Sequence, residues 1–274
     1  MKSATETSAP TRKPRVAPSW KVALLVIIGY SIVTPGLMAI SGLDYDELFY
    51  SSANVWKGVL LPLIAGAVYL LAVVSFLRWD HVFGDPGRLP MNKLLWAPVV
   101  LMTVGAIIRF TGVPGDIPFD LIALIIAAGV LVGFTEETVF RGILLRAMRA
   151  GRLPEIKVAI IVSVAFGLFH LTNLGVGSPL PVVLFQVTIA SISGFALYLA
   201  RRGTGMLVAG MVLHGFWDIS SFLVSTEDGF TSLGANVAQG LLILNVIVIL
   251  VAVVWAYKNQ PVLRLTESGT TEGG

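Results

Sequence analysis

Residues 58–77 read GVLLPLIAGAVYLLAVVSFL, twenty residues without one charged side chain. A helix of that length rises about 30 Å, which matches the hydrocarbon core of a bilayer. Similar stretches recur along the chain, which has 274 residues, 55% of them hydrophobic and only 13% charged. A soluble fold of this size could not bury so much apolar surface, so the sequence predicts an all-α polytopic membrane protein.

The predicted membrane spans number eight, at about residues 20–40, 58–77, 94–110, 119–148, 156–171, 180–200, 206–223 and 238–257. We expect a single membrane domain over residues 20–258. The polar segments 1–19 and 259–274 are predicted to be disordered cytosolic tails. The first apolar run is too long for the core of a signal peptide, so we expect it to be retained as a span.

Basic residues are distributed unevenly between the predicted loops. With the N-terminus inside, all of the 19 Lys and Arg residues except Lys57 and Arg109 fall in or beside inside segments. The outside loops instead carry acidic residues: Asp44, Asp46, Glu47, Asp116, Glu227 and Asp228. This asymmetry predicts that both termini are cytosolic. The net charge of +3 is thereby explained by membrane orientation, and we expect no nucleic-acid partner.

A GxxxG pattern, formed by Gly129 and Gly133, lies in the fourth predicted span. Such a pattern is typical either of a dimer face or of close helix packing within one chain. We favour packing within the chain, because an eight-helix bundle contains many contacts of that type. The oligomeric state is not predicted.

Few ionisable side chains fall well inside the predicted spans, and these are Glu136, Glu137, Arg141, His170, His214 and Asp218. Because ionisable groups are expensive in hydrocarbon, they are candidates for function. The chain has no cysteine, which excludes thiolate zinc sites and cysteine nucleophiles. The candidates lie in the fourth, fifth and seventh spans, so the sequence predicts one polar pocket between three helices.

Helical spacing separates the two glutamates. Glu137 and Arg141 are four residues apart, so they share a helix face and can form an ion pair. Glu136 lies about 100° round the helix from Glu137 and is therefore the freer carboxylate. His214 and Asp218 also share a face. Structural interpretations stay open, because a buried charge is generally paired and a membrane histidine can serve only as a hydrogen bond between helices.

The predicted pocket contains the residue types that peptide hydrolysis requires. A glutamate can act as general base towards water, and a histidine beside it can position that water or protonate the leaving amine. A second histidine and a hydrogen-bonding neighbour can stabilise the developing oxyanion. The depth of the pocket is uncertain from sequence, because His170 lies about 15 residues, or roughly 22 Å, beyond the cytosolic start of its span.

At these residues the sequence resembles the CAAX protease and bacteriocin-processing (CPBP, or Abi) membrane proteins, which include the type II CAAX prenyl endopeptidases. Their pattern is EExxxR, FxxxH and HxxxN or a close variant on successive membrane helices. This chain has EETVFR at 136–141, FGLFH at 166–170 and HGFWD at 214–218. The similar region is about residues 121–221.

The resemblance implies a glutamic intramembrane endopeptidase that acts on a peptide or membrane-protein segment, lipidated or not. It implies that Glu136 activates water with His170, while His214 and residue 218 support the oxyanion. It also implies an integral protein of the plasma (inner) membrane of a prokaryote. One position departs from the pattern, since Asp218 stands where the best-described members have Asn. An ionised Asp can only accept hydrogen bonds, so Asp218 either stays protonated or orients His214.

Other functions remain possible for the same residues. One Glu and two His could hold a catalytic zinc ion, although the chain has no HExxH motif. Chains of Asp, Glu and His also mark transporters and proton relays. A non-catalytic binding or immunity protein could retain the same scaffold. We expect no metal and no organic cofactor.

Overall fold

The computed structural model describes residues 13–227 and 231–264. Within them it contains eight helices long and apolar enough to cross a membrane, and no strand. They are α1 (Trp20–Ala39), α2 (Ser52–Leu77), α3 (Lys93–Phe110), α4 (Phe119–Ala150), α5 (Glu155–Val176), α6 (Leu180–Thr204), α7 (Leu207–Val224) and α8 (Leu233–Asn259). The predicted all-α membrane fold and its eight spans are confirmed. The bounds differ most at the start of α2, the start of α8 and the end of α5, where each helix extends five or six residues beyond its predicted bound.

The predicted tails are only partly described, because residues 1–12 and 265–274 lie outside the described residues. The described parts of the tails, residues 13–19 and 260–264, contact the membrane domain. The backbone N–H of Arg15 donates to the carbonyl of Leu77. At the other terminus a short 3-10 helix, Pro261–Arg264, follows α8.

Three spans leave ordinary α-helix geometry. Helix α2 contains a π-helical segment at Val55–Leu60, and α4 contains another at Thr138–Leu144. Helix α5 continues as a 3-10 helix over His170–Val176. Departures of this kind often occur at functional sites, since they change the direction of side chains along the helix. The π-helical segment of α4 begins directly after the two motif glutamates and contains Arg141.

Helices α4 and α7 approach each other closely through glycine. A Cβ on Gly215 would lie 2.6 Å from the carbonyl oxygen of Gly129, and one on Gly133 would overlap the carbonyl of Met211. Small residues permit such contact between helix backbones. The GxxxG pattern therefore packs within the chain, which is the interpretation that we favoured.

We expect Gly133→Ala to lower the unfolding temperature, because overpacking a tight contact costs about 1–3 kcal/mol. Gly240→Ala in α8 is the matched control, since a Cβ there meets no atom within 4 Å. Tryptophan fluorescence of the purified protein in detergent can follow unfolding, as the chain has six tryptophans. If Gly133→Ala and Gly240→Ala unfold at the same temperature, the contact between α4 and α7 has room for an added methyl group.

The loops divide the bundle into two ends. The basic end consists of residues 13–19, loops 78–92, 151–154 and 205–206, and residues 260–264. The acidic end consists of loops 40–51, 111–118 and 177–179 and residues 225–227. Hydrogen bonds join the parts of each end. At the basic end Asp85 N–H donates to the carbonyl of Gly205, and at the acidic end Ser52 Oγ donates to Asp120 Oδ2.

An ionic cluster is buried at the basic end and consists of Asp85, Arg149, Glu155, Arg201 and Arg202. Asp85 accepts hydrogen bonds of 2.7–3.0 Å from the three arginines. Glu155 pairs with Arg149 and Arg202 at 2.5 and 3.3 Å. Burial alone would raise the pKa of Asp85, but the charges of Arg201 and Arg149 outweigh that effect and hold the pKa well below its usual value. The Asp85 carboxylate is therefore ionised at physiological pH.

The ionic cluster is also tied to the backbone of α4. Arg201 Nη1 donates to the carbonyl oxygens of Arg141 and Val82. A Cβ on Gly142 would lie 3.1 Å from the Val82 side chain. Loop 78–92 therefore packs directly against the π-helical segment of α4 and covers this end of the bundle.

Candidate active site

The motif residues of α4 and α7 meet around the imidazole of His214. Its Nδ1 lies 3.0 Å from Oε1 of Glu137. Its Nε2 lies 3.8 Å from Oε2 of Glu136 and 3.5 Å from Oδ2 of Asp218. Three carboxylates thus surround one histidine, and each ring nitrogen faces at least one of them.

Glu137 and Arg141 form the predicted ion pair. Arg141 Nη1 lies 2.8 Å from Glu137 Oε1, and both side chains are 0% exposed. Arg141 Nη2 also donates to the carbonyl of Gly194 in α6, at 3.0 Å. Because Oε1 of Glu137 contacts both Arg141 and His214, this carboxylate is committed to structural partners on two helices.

Glu136 has no comparable partner. Its Oε2 is buried and has no hydrogen-bond partner among the described residues. It lines a cavity of about 120 Å³ together with His170, His214 and Asp218. A water molecule needs only about 10–15 Å³ of such space, so the cavity has room for several. Glu136 is therefore the freer carboxylate, as its position on the helix predicts.

His170 stands where α5 changes from α-helix to 3-10 helix. Its Nδ1 lies 3.0 Å from the carbonyl oxygen of Phe166. A carbonyl oxygen can only accept, so this bond requires the proton on Nδ1 and leaves Nε2 for another partner. The Phe166 ring lies edge-on to His170 and His214, with centroids 5.1 and 5.3 Å away, and 4.2 Å from the Arg141 guanidinium. Phe166 therefore packs the three motifs together.

The first turn of α7 packs against the basic end. Leu207, the first residue of α7, is fully buried, and its N–H donates to the carbonyl of Phe83 in loop 78–92. His214 is the eighth residue of α7 and His170 the sixteenth of α5. Both histidines therefore lie within their spans rather than at the helix ends.

Several residues at the site carry no motif and were missed by the sequence analysis. Tyr30 in α1 donates from its hydroxyl to Thr135 Oγ1 at 2.9 Å and lines the same cavity as Glu136. Tyr45 lies in the loop before α2, where burial raises the pKa of its hydroxyl and keeps it neutral. Gln186 Nε2 donates to that hydroxyl at 3.4 Å. Neither charge nor periodicity distinguishes these residues from their neighbours.

A positive charge on α3 lies beside the turn that carries Asp218. The Arg109 guanidinium lies 4.0 Å from the Trp217 ring and 2.5 Å from Ser221 Oγ. Arg109 was one of the two basic residues that the loop analysis could not place on the inside. Arg109 thus lies near residue 218, the position at which the family pattern has Asn.

Three neighbouring cavities adjoin the site and share Tyr45, Gln186 and Asp218 as lining residues. The first is the cavity beside Glu136. The second, of about 340 Å³, lies between α3, α6, α7 and α8 and is mostly apolar. The third, of about 510 Å³, lies at the acidic end and is also lined by Asp46 and Glu227. The catalytic candidates are therefore next to open space on the side of the acidic end.

The arrangement of the side chains also bears on metal binding. In residues 13–227 and 231–264 no group of three or more His, Asp and Glu side chains is arranged so that it could hold a metal ion.

Comparison with known proteins adds to this geometry. Residues 118–220, which contain all three motifs, match a family model. The family is described as type II CAAX prenyl endopeptidase Rce1-like, and the match runs from the residue before α4 to Ser220 in α7. The resemblance seen in the motifs is confirmed over that region. No curated protein and no solved structure matches the chain.

Proposed function

We propose that this protein is a glutamic intramembrane endopeptidase, in which Glu136 and His170 activate the water that hydrolyses a peptide bond. The observation that carries the proposal is the buried, hydrogen-bond-free Oε2 of Glu136 at a small cavity beside two histidines. The family match supports a CAAX-type membrane protease. As the resemblance implies, we place the enzyme in the plasma membrane of a prokaryote.

The proposed reaction begins with a water molecule in the cavity beside Glu136. The carboxylate takes a proton from the water as its oxygen attacks the carbonyl carbon of the scissile bond. His170 holds the same water through Nε2, since its Nδ1 is already engaged by the Phe166 carbonyl. When the carbon–nitrogen bond breaks, the proton on Glu136 passes to the leaving amine. Atoms and charge balance without a further reactant.

His214 is the proposed oxyanion donor. Glu137 holds its Nδ1 at 3.0 Å, and Arg141 holds Glu137 in turn, so the ring is fixed with Nε2 facing the cavity. A proton on Nε2 would donate to the tetrahedral oxyanion. Asp218 lies 3.5 Å from the same nitrogen. We therefore assign Asp218 the orienting role, the second of the two that the sequence left open.

The test is peptide cleavage by the purified full chain in detergent, with a lipidated reporter peptide and an unmodified peptide library as substrates. We expect cleavage to survive EDTA and 1,10-phenanthroline, because the proposed chemistry uses no metal ion. Loss of cleavage with either chelator and its return with Zn²⁺ would instead favour the zinc alternative. Failure to cut any peptide of either kind would count against the proposal.

A further inference from the structure

The route to the proposed site is asymmetric. The three cavities around Glu136 and Asp218 are lined by residues of loop 40–51, by residues inside the spans, and by Ser225 and Glu227. No residue of loops 78–92, 151–154 or 205–206 lines any of them. The largest of the three by volume, hereafter the mouth, has Asp46, Ser225 and Glu227 at its rim. These three rim residues are exposed.

The opposite route is blocked by protein. Below the Glu137–Arg141 pair lies the ionic cluster, in which the side chains of Asp85 and Arg201 are 0% exposed. Arg201 also donates to the backbone of Arg141, so no gap separates the cluster from the motif helix. A peptide could reach Glu136 from the basic end only if a buried ionic cluster and loop 78–92 were displaced. Breaking a buried ion pair is costly, because it leaves an uncompensated charge.

The charge of the loops relates these two ends to the two sides of the membrane. Of the 19 Lys and Arg residues, only Lys57, Arg109 and Arg141 fall outside the tails, loops and helix ends of the basic end. Loops rich in Lys and Arg stay on the cytosolic side. The basic end is therefore expected in the cytosol, and the mouth on the other side of the membrane.

We propose that the substrate is a polypeptide segment presented on the extracytoplasmic side, either an exported protein or the outer flank of a membrane protein, and that it reaches Glu136 through the mouth. This inference rests on the proposed function. It assigns the enzyme to substrates that have already left the cytosol, and a cytosolic chain terminus is the alternative that the test must distinguish.

The absence of cysteine allows a direct test, since single cysteines can be introduced into the otherwise native chain. Gly87→Cys marks the basic end and Gly115→Cys the acidic end; a Cβ at either position meets no atom within 4 Å. Ser225→Cys places a thiol of similar size at the rim of the mouth. Each variant is treated with a bulky, membrane-impermeant maleimide in right-side-out membrane vesicles. Labelling is then quantified, and cleavage is measured after solubilisation in detergent.

We expect labelling at residues 115 and 225 from outside, and labelling at residue 87 only after permeabilisation. Modified Ser225→Cys should lose at least about tenfold in cleavage, whereas modified Gly115→Cys should keep it. The proposal is overturned if Gly87→Cys is labelled from outside, or if fully modified Ser225→Cys still cleaves at the unmodified rate. If unmodified Ser225→Cys is itself inactive, Glu227→Cys at the same rim takes its place.

These outcomes separate the inference from the proposed function. Wild type that cuts nothing in detergent, where both ends are accessible, contradicts the peptidase proposal. If wild type is active in detergent but the labelling shows that the substrate enters from the basic end, the peptidase proposal stands. Only the proposed extracytoplasmic access is then contradicted.

Discussion

Replacing Glu136 by Gln should reduce peptide cleavage by about 10³–10⁴-fold and leave the protein as stable as wild type. General-base catalysis typically contributes up to about 10⁴-fold in rate, and the isosteric amide cannot take a proton from water. Stability should be unaffected, because Oε2 of Glu136 makes no hydrogen bond within the described residues. Single-turnover cleavage in detergent and tryptophan-monitored unfolding measure the two quantities.

The adjacent Glu137 provides a comparison for stability, since it lies on the same helix but forms a buried ion pair with Arg141. A Glu136→Gln variant that keeps more than a tenth of wild-type activity would show that this carboxylate is not the base. A variant that is inactive but also unfolds at a clearly lower temperature would not assign the role, and Glu136→Asp, which keeps the carboxylate, would then decide by partial recovery of activity.

Glu137→Gln, unlike Glu136→Gln, should destabilise the protein and unfold at a temperature on the order of 10 °C below wild type. The change leaves the guanidinium of Arg141, which is 0% exposed, without its charged partner. Breaking a buried ion pair in this way costs about 3–5 kcal/mol, and a domain of this size shifts by about 2–4 °C for each kcal/mol. Cleavage should also fall, because His214 loses the carboxylate that fixes its ring.

A double variant tests whether the pair is the cause. Glu137→Gln combined with Arg141→Met removes both buried charges, so it should unfold at a higher temperature than Glu137→Gln alone. Its cleavage should stay low, since His214 is still without its partner. If the loss of stability in the double variant equals the sum of the losses in the two single variants, the ion pair contributes nothing specific to stability.

The sequence was sufficient to predict the membrane fold. An apolar run of about twenty residues marks one whole span, and the charge of the loops alternates from one span to the next. It was sufficient for the core of the site as well. Four-residue spacing alone identified the pairing of Glu137 with Arg141, and a 100° offset identified Glu136 as the freer carboxylate. Both predictions depend on the geometry of a single helix, which the local sequence determines.

Contacts between distant segments could not be predicted in this way. Tyr30 reaches Thr135 across 105 positions, and Arg201 reaches Asp85 across 116. Arg149, Arg201 and Arg202 were counted as charges beside inside loops, yet they are buried in the ionic cluster. A loop charge and a buried ion pair look identical in sequence, since the distinction depends on where loop 78–92 folds back.

The ionic cluster also has an electrical consequence. A membrane voltage falls across the part of a protein that water cannot enter. Moving a charge through the whole field is worth about 2.3 kcal/mol per 100 mV. On the proposed route through the mouth, a proton or a basic side chain that arrives at Glu136 crosses only a small fraction of that field. Cleavage should therefore proceed at nearly the same rate in energised and de-energised membranes.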